Sequence, residues 1–600
     1  MINIDQLSEK FLIRKFPKAL LFDIFIVERG LNIIKYDLLE EKWIDVIMKD
    51  GEKKSFGLRE TFRNARDIKE LDIVSDPTAC YMDEVCVYSF LFAFFREFEH
   101  LSKKRLLSRL EDPAGRFDMD AFEEYIQMTK AEGVSYDLFD GERPFMQMRR
   151  SEINKLRADN GIEGPKAKPL GEDKLSKAVS ELSATHPTGN NCVFFYHNDG
   201  IRDNKKTVQY DIVLSPKQYF RSLLRQYFSE NCGGSGFYPS LFGMQKLLCV
   251  LTFGKDLFET IILNTPSVDN PDDETVLPLW RRDKLVYPLR GNGPGTSFTS
   301  EIFNAPNIFH YGAFDEDGNV KTIYKPGTGT GRSDEDGTTV AVLRKQEWNK
   351  IPYFIVKTKE NKNGITESLM EASQSSASFY DLSMTLTGLT DKDAHYNAFG
   401  MTVLSSWIGR KEKDSVVFTV YCQETDKASY VFQKKSTLVF PRAIFTGEKE
   451  RRYYEKYIKG IKNFGNAKLF YSVLAAVGIS KEKYDKAKNN EPQKKRIAAA
   501  IEIMKEQFYS MEKISFFASI DQIADVSSVD PKTGNETEIL EKWYNKQMLR
   551  CEREARDVFL KNIDVLRVDP VEKAIGLSKI RFYKEKSSGQ TDIKKGGSDE

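Results

Sequence analysis

Residues 493–519 read QKKRIAAAIEIMKEQFYSMEKISFFAS. Apolar side chains recur at Ile497, Ile501, Met504, Phe508 and Met511, at spacings of four, three, four and three. That rhythm is one face of an α-helix, because 3.6 residues complete a turn. Leu540, Tyr544, Met548, Cys551, Ala555 and Val558 repeat it. Asp569-Pro570 followed by Glu572 is a helix start: Asp caps, Pro occupies the first turn, and Glu reaches back to the cap. Helices are expected over about 448–477, 493–519, 537–563 and 570–586. Four such amphipathic faces bury one another as a four-helix bundle.

Upstream of this region the pattern changes. Short β-rich runs alternate with Gly, Asn and Asp turns. Lys35–Met48 reads as a strand entering a turn at Asp50-Gly51. Glu84–Leu110 reads as a helix with Phe90, Phe94, Phe95 and Phe98 as core residues, and 250–265, 339–357 and 400–433 read as strands. The fold class is therefore α+β. A large mixed N-terminal domain, 1–445 with a leading extension over 1–34, precedes a bundle over 446–586. Ser587–Glu600 is poor in apolar residues and is expected to be a disordered tail.

The whole chain has 600 residues, of which 40% are hydrophobic, 30% charged and 12% aromatic. Wholesale disorder and a fibrous repeat are excluded by that composition. Ninety basic residues face 89 acidic ones, so a uniformly basic nucleic-acid coat is excluded too. The charge is nevertheless uneven. From Thr446 onward there are 31 Lys and Arg against 25 Asp and Glu, and 446–496 alone holds 14 basic against 6 acidic residues. The apolar run Ala19 to Val27 is interrupted by Asp23 and is too short to span a bilayer. The seven cysteines are scattered and never spaced CxxC, which points to a reducing cytoplasm rather than a disulfide framework or a zinc site.

A search for catalytic motifs finds little. The phosphate-cradling loop with its lysine, HExxH and GxSxG are all absent. Five histidines lie far apart in sequence. Asp315-Glu316-Asp317-Gly318 and Asp334-Glu335-Asp336-Gly337 have metal-binding residue types, but each ends in Asp-Gly between strand-like runs, which a hairpin turn explains. Gly327 to Gly331 is a flexible loop, since no helix pattern follows it. The expectation is a binding protein, not an enzyme, with no cofactor and no metal.

Five ordered stretches sharpen this. Tyr36-Asp-Leu-Leu-Glu-Glu-Lys-Trp43-Ile44-Asp-Val46 comes first, then Leu138-Phe-Asp-Gly-Glu142-Arg-Pro144-Phe145-Met146-Gln147. Asn191-Cys192-Val193-Phe194 follows, with Gly233-Gly-Ser-Gly236-Phe237 and Lys255-Asp256-Leu257 to Leu263-Asn264 beyond it. In this order they resemble the large, CasA-type subunit of the type I-E CRISPR surveillance complex, Cascade. The resemblance covers about 35–265 well, 398–420 weakly, and 448–586 by architecture. It departs from the family in the leading segment, in lacking the CxxC pairs of some members, and in lacking a glutamine at the wedge.

The resemblance implies a non-catalytic antiviral subunit that recognises a target-adjacent motif in double-stranded DNA. It would help open the duplex, stabilise the R-loop and recruit the helicase–nuclease. Implied partners are guide RNA, target DNA and the other Cascade subunits, with no membrane. Five sets of residues carry over. Cys232, Gly233, Gly234, Ser235 and Gly236 would approach the duplex, since a backbone without Cβ atoms reaches base edges and phosphates closely; the plainer reading is a turn. Leu404, Ser405, Ser406 and Trp407 align with the strand-splitting wedge, and an aromatic suits insertion between base steps; the plainer reading is a core aromatic in a strand. Lys321 and Lys325 are candidates for a minor-groove lysine. Phe194, Phe195, Tyr196 and His197 would meet the guide RNA and the backbone of the complex by stacking; a buried strand is the alternative. Lys449, Arg451, Arg452, Lys456, Lys459, Lys462, Lys494, Lys495 and Arg496 would contact phosphates, with Tyr453, Tyr454 and Tyr457 interleaved; a solvated helix face is the alternative. Two rival functions remain: a metal-dependent nuclease using Asp317 and Asp336, and a protein-interaction scaffold without nucleic acid.

Overall fold

A computed structural model describes residues 35–76, 79–140, 143–147, 181–183, 215–228, 246–269, 277–281, 311–314, 320–324, 351–361, 364–389, 394–410, 415–426, 429–527 and 535–582. The first described sheet has three antiparallel strands, β1 (Ile44–Met48), β2 (Lys53–Phe56) and β3 (Ile68–Leu71), in the order β2-β1-β3, so β1 is central and the chain crosses over from β2 to β3. The expected turn at Asp50-Gly51 is present, and Gly51 takes the left-handed φ of +89° that a side chain would resist. Between β2 and β3 lies α1 (Leu58–Arg63). Trp43 is fully buried and its indole N–H donates to the Leu38 carbonyl at 2.9 Å.

Helix α2 (Tyr81–Glu99) is the hub. Phe90, Phe94, Phe95 and Phe98 are buried as expected, and Phe94 and Phe98 cluster with the rings of Phe62 and Phe122. The single long helix expected to Leu110 is two. His100 adopts a left-handed φ of +46°, and α3 (Lys103–Glu111) restarts from the Ser102 hydroxyl cap. A capping serine competes with helix continuation, a cue the apolar periodicity masks. Then come α4 (Met119–Ala131), β4 (Glu181–Ser183) and α5 (Pro216–Phe228).

The strand expected over 250–265 is also two elements. β5 (Lys246–Phe253) is followed by helix α6 (Leu257–Asn264), which starts where the Asp256 carboxylate accepts the Glu259 N–H at 3.0 Å. Asn264 ties the two together. Its side chain accepts from Thr252 N–H at 2.9 Å and donates to the Thr252 carbonyl at 2.7 Å. Gly254-Lys255-Asp256 breaks the apolar run at this switch of period, and reading 250–265 as one strand passes over that break.

Further on lie β6 (Tyr311–Phe314), β7 (Val320–Tyr324), β8 (Ile355–Asn361), β9 (Gly364–Leu369), α7 (Ser378–Leu386), β10 (Ala394–Tyr396) and α8 (Ala398–Met401). Of the expected strand 339–357, only the last residues are strand among those described. In the expected strand 400–433, residues 404–408 form a helix instead, α9 (Leu404–Ile408). Leu404 and Ile408, four apart, are both buried, and the Thr402 hydroxyl accepts the Leu404 N–H at 3.1 Å. The long hairpin β11 (Ser415–Asp426) and β12 (Ser429–Pro441) follows. It pairs antiparallel with β5 in the order β12-β11-β5.

After the short helix α10 (Ala443–Thr446) the chain becomes helical throughout the described residues. α11 (Glu448–Lys462) runs through a π turn (Asn463–Lys468) into α12 (Leu469–Ala476). Then come α13 (Lys481–Lys486), α14 (Pro492–Ser527), α15 (Glu536–Asn562) and α16 (Pro570–Leu577). The expected bundle is thus present, with α14 longer than expected and α16 shorter, since it ends at Leu577 where a helix to 586 was expected. Ile497, Ile501, Met504 and Phe508 are buried, as are Leu540, Met548, Cys551, Ala555 and Val558. The cap foreseen at Asp569 forms in both directions, at 2.8 Å each. A buried polar knot sits in this core. Arg550 donates to Glu512, Tyr457 and Ser519, each at 2.7 Å.

Residues 1–34 and 587–600 lie outside the described residues, so the leading extension and the tail stay as sequence expectations.

Candidate nucleic-acid interface

The basic residues of α11 divide between two faces. Lys449, Arg452, Lys456 and Lys459 are spaced three, four and three, so they share one stripe. Arg451 and Lys462 lie on a different face and are spent on the fold. Arg451 donates to the Gly388 carbonyl at 2.6 Å, just past α7, and Lys462 pairs with Asp381 of α7 at 2.6 Å.

Within the stripe the side chains differ. Lys449 pairs with Glu536 at 2.6 Å, and that hydrogen bond raises its pKa above the ordinary lysine value. Lys459 pairs with Glu455 at 2.5 Å. Lys456 lies over the rings of Tyr453 and Tyr544, at 5.6 and 6.0 Å. Arg452 is exposed, and no partner of its guanidinium stands among the described residues. Tyr454 and Tyr457, which looked available for stacking, are fully buried in the bundle. Core packing claims them because they occupy the same face as Ile458 and Ile461.

Lys494, Lys495 and Arg496 do not join this stripe. α14 runs antiparallel to α11 and α12, as the ring contacts Tyr457–Phe516 and Phe464–Phe508 require. The start of α14 therefore lies level with the end of α12, roughly 35 Å along the bundle from Arg452 at 1.5 Å rise per residue. There Arg496 donates to the Val565 carbonyl at 2.9 Å and Lys494 to Ala487 at 2.7 Å, leaving Lys495 exposed.

Near the aligned wedge, Leu404 is buried, Ser405 and Ser406 are exposed, and Trp407 is half-buried. The Ser405 hydroxyl donates to the Phe399 carbonyl at 2.7 Å. The Arg442 guanidinium lies 4.5 Å from the Trp407 ring centre and donates to the Trp407 carbonyl at 2.7 Å. The exposed edge is thus a helical turn of two serines flanked by a cation-covered tryptophan, not a strand.

Cys232–Gly236, Phe194–His197 and Lys325 lie outside the described residues. So do both acidic turns, Asp315–Gly318 and Asp334–Gly337. Lys321 is on β7. No cluster of His, Cys, Asp or Glu able to hold a metal occurs among the described residues.

What the structure does describe is the frame on either side of 229–245. α5 precedes it and β5 follows it. α5 is pinned by three cations that the sequence reading missed. Lys217 pairs with Asp45 at 2.8 Å, Arg221 with Asp76 at 2.6 Å, and Arg225 with Asp83 at 2.8 Å, the last pair almost wholly buried. Spacing of four along one helix face was the available signal. Their acidic partners, more than a hundred residues away in sequence, gave none.

The family model described as CRISPR-associated protein Cse1 matches residues 37–293. No curated protein matches the chain. Among solved structures, the chain is similar to Cse1 from Acidimicrobium ferrooxidans at 15% identity and a TM-score of 0.60, covering 91% of this chain and 97% of that one. CasA from Thermus thermophilus follows at 16% identity and 0.57, covering 91% and 98%. A structure titled as a CRISPR RNA-guided surveillance complex gives 16% and 0.56, covering 91% and 99%. The resemblance read from the ordered motifs is borne out, and the fold is that of these proteins.

Proposed function

We propose, for a chain whose residues 37–293 match Cse1 and whose fold is the Cse1 fold, the role of large subunit in a type I-E RNA-guided surveillance complex. In this role it breaks no covalent bond. Base pairing to the guide reads the target, and the protein reads a short neighbouring motif and the shape of the duplex, as RNA-guided systems divide the work. Cys232–Gly236 approaches the duplex beside the target, and the Leu404–Trp407 turn enters it. Lys321 or Lys325 reaches the minor groove. Phe194–His197 holds guide RNA and neighbouring subunits, and the free cations of the bundle take phosphates. Opening of the duplex, stabilisation of the R-loop and recruitment of the helicase–nuclease follow from that placement, in the cytoplasm where the complex acts.

The observation that carries the reading is the family match over 37–293, which spans the ordered motifs. The frame supports it: the described elements that flank 229–245 in sequence are a helix locked by buried ion pairs and the largely buried strand β5, paired to β11, so a glycine-rich reader has rigid ends. The test uses the complex assembled with guide RNA. Gly234→Leu is expected to weaken binding to duplex bearing the target-adjacent motif about tenfold or more, while the subunit still co-purifies with the assembly. Unchanged duplex affinity, or an assembly that contains no guide RNA, overturns the proposal.

A further inference from the structure

Where α11 passes through its π turn into α12, the bundle surface is concave. A cavity of about 490 Å³ opens between this turn, the loop leading into α13, and Lys579 beyond α16. That volume suits a small ligand, for which sites span roughly 300–1,000 Å³. Its lining combines two chemistries. Ala467, Ala475 and Ile479 form a half-buried apolar floor, and Tyr471 stands at the mouth, 43% exposed. Lys468, Lys481 and Lys579 surround that floor, with no acid among the lining residues.

The tyrosine and two of the lysines are not used by the fold. Lys481 and Lys579 are exposed, with no side-chain partner among the described residues. Among the described aromatic rings Tyr471 meets Phe470, in a T-shaped pair with centroids 5.4 Å apart, and its side chain has no hydrogen-bond partner among the described residues. Lys468 is more confined, bonded to the Arg581 carbonyl and 4.7 Å from the Phe464 ring centre. Burial pushes its pKa below the ordinary lysine value. An anion reaching a partly desolvated cation gains more than it would in bulk water.

We propose that this cavity takes one nucleotide of a single-stranded nucleic acid, with its phosphate between Lys481 and Lys579 and its base on Tyr471. The shared chemistry, a phosphate beside a flat ring, is set by the lysines and the tyrosine. The choice of a strand over a free nucleotide rests on the proposed function above.

The experiment measures anisotropy of a short fluorescein-labelled oligothymidylate with the purified full chain, across a range of salt. Tyr471→Ala is expected to weaken binding about tenfold, and Tyr471→Phe to preserve it, since stacking needs the ring alone. Lys481→Gln with Lys579→Gln is expected to lower the slope of log affinity against log salt by about 1.4. Wild-type binding by both the Tyr471→Ala and the double-lysine variants overturns the proposal. Displacement by thymidine monophosphate or by polyglutamate at the oligonucleotide's own affinity also overturns it, in favour of a free nucleotide or an acidic peptide. Duplex binding by the assembled complex separates the two readings. Variants that lose the single strand but keep the duplex support the cavity. Equal loss of both overturns it as a single-strand site and leaves the large-subunit role standing.

Discussion

Two buried charges set the chemistry of single residues in this protein. Arg225 and Asp83 meet at 2.8 Å with side chains only 1% and 3% exposed, and Asp83 also accepts the Cys80 N–H at 2.7 Å. Removing one partner strands the other charge away from water, whereas replacing both with apolar residues does not. Arg225→Ala is therefore expected to cost about 3–5 kcal/mol of stability by chemical denaturation. Arg225→Met with Asp83→Leu should recover most of it; equal losses in the two would show that packing, not charge, matters at this point. In the bundle, Glu554 sits beside Glu512 and Arg550. Burial, then the neighbouring Glu512, pushes its pKa from the usual 4.5 up to about 8. The folded chain then holds a proton that the unfolded chain has released. Stability is expected to fall as pH rises between about 4.5 and about 8, and to level off above. Glu554→Gln, always neutral, should flatten that decline in thermal melts taken across the window. An unchanged profile would assign the pH dependence elsewhere.

At the scale of elements, what the sequence conveys depends on whether the signal is local. The four bundle helices were legible because α14 and α15 each present an unbroken apolar stripe, and because Asp569, Pro570 and Glu572 spell a cap. The split of α2 from α3 at His100, and of β5 from α6 at Gly254, was not. In both places apolar residues resume within a few positions, after Glu99-His100 and after Gly254-Lys255-Asp256, and the new helix is set by backbone N–H groups donating to the Ser102 hydroxyl and the Asp256 carboxylate. The α9 turn was misread because it is only five residues long: Leu404, Trp407 and Ile408 have helical spacing, but over little more than one turn. Of the site, the stripe on α11 was legible as charge, but which cations the fold consumes was not, because Asp381 and Glu536 are distant in sequence. The π turn is a further tertiary effect. Gly465 lies against the Tyr509 ring with no room for a Cβ. Gly465→Val is expected to lower stability by roughly 1–3 kcal/mol through overpacking, read as a drop in melting temperature. Adding Tyr509→Ala should lessen the effect of the valine. If the two changes simply add, the ring is not the obstacle.

The molecule as a whole is nearly neutral at +1, yet its residues from 446 onward carry the basic excess. Affinity for a polyanion then depends on which cations are free to release counterions, and a raw count of lysines overstates it. Arg452 and Lys495 are exposed and unpartnered among the described residues, at opposite halves of the bundle. Lys449 and Lys462 are each already neutralised by a carboxylate at 2.6 Å. Such exposed pairs add little to stability, but a phosphate must displace the carboxylate before it gains anything. In the assembled complex, Arg452→Gln and Lys495→Gln are each expected to lower the slope of log duplex affinity against log salt by about 0.9. Lys449→Gln and Lys462→Gln should change it by much less. Removing the acids instead, with Glu536→Gln and Asp381→Asn, releases the two lysines, and the slope should steepen. If all four basic positions contribute alike, phosphate competes freely with the internal carboxylates. If only one half of the bundle responds, the duplex runs along that half alone, since roughly 35 Å separates the two at helical rise.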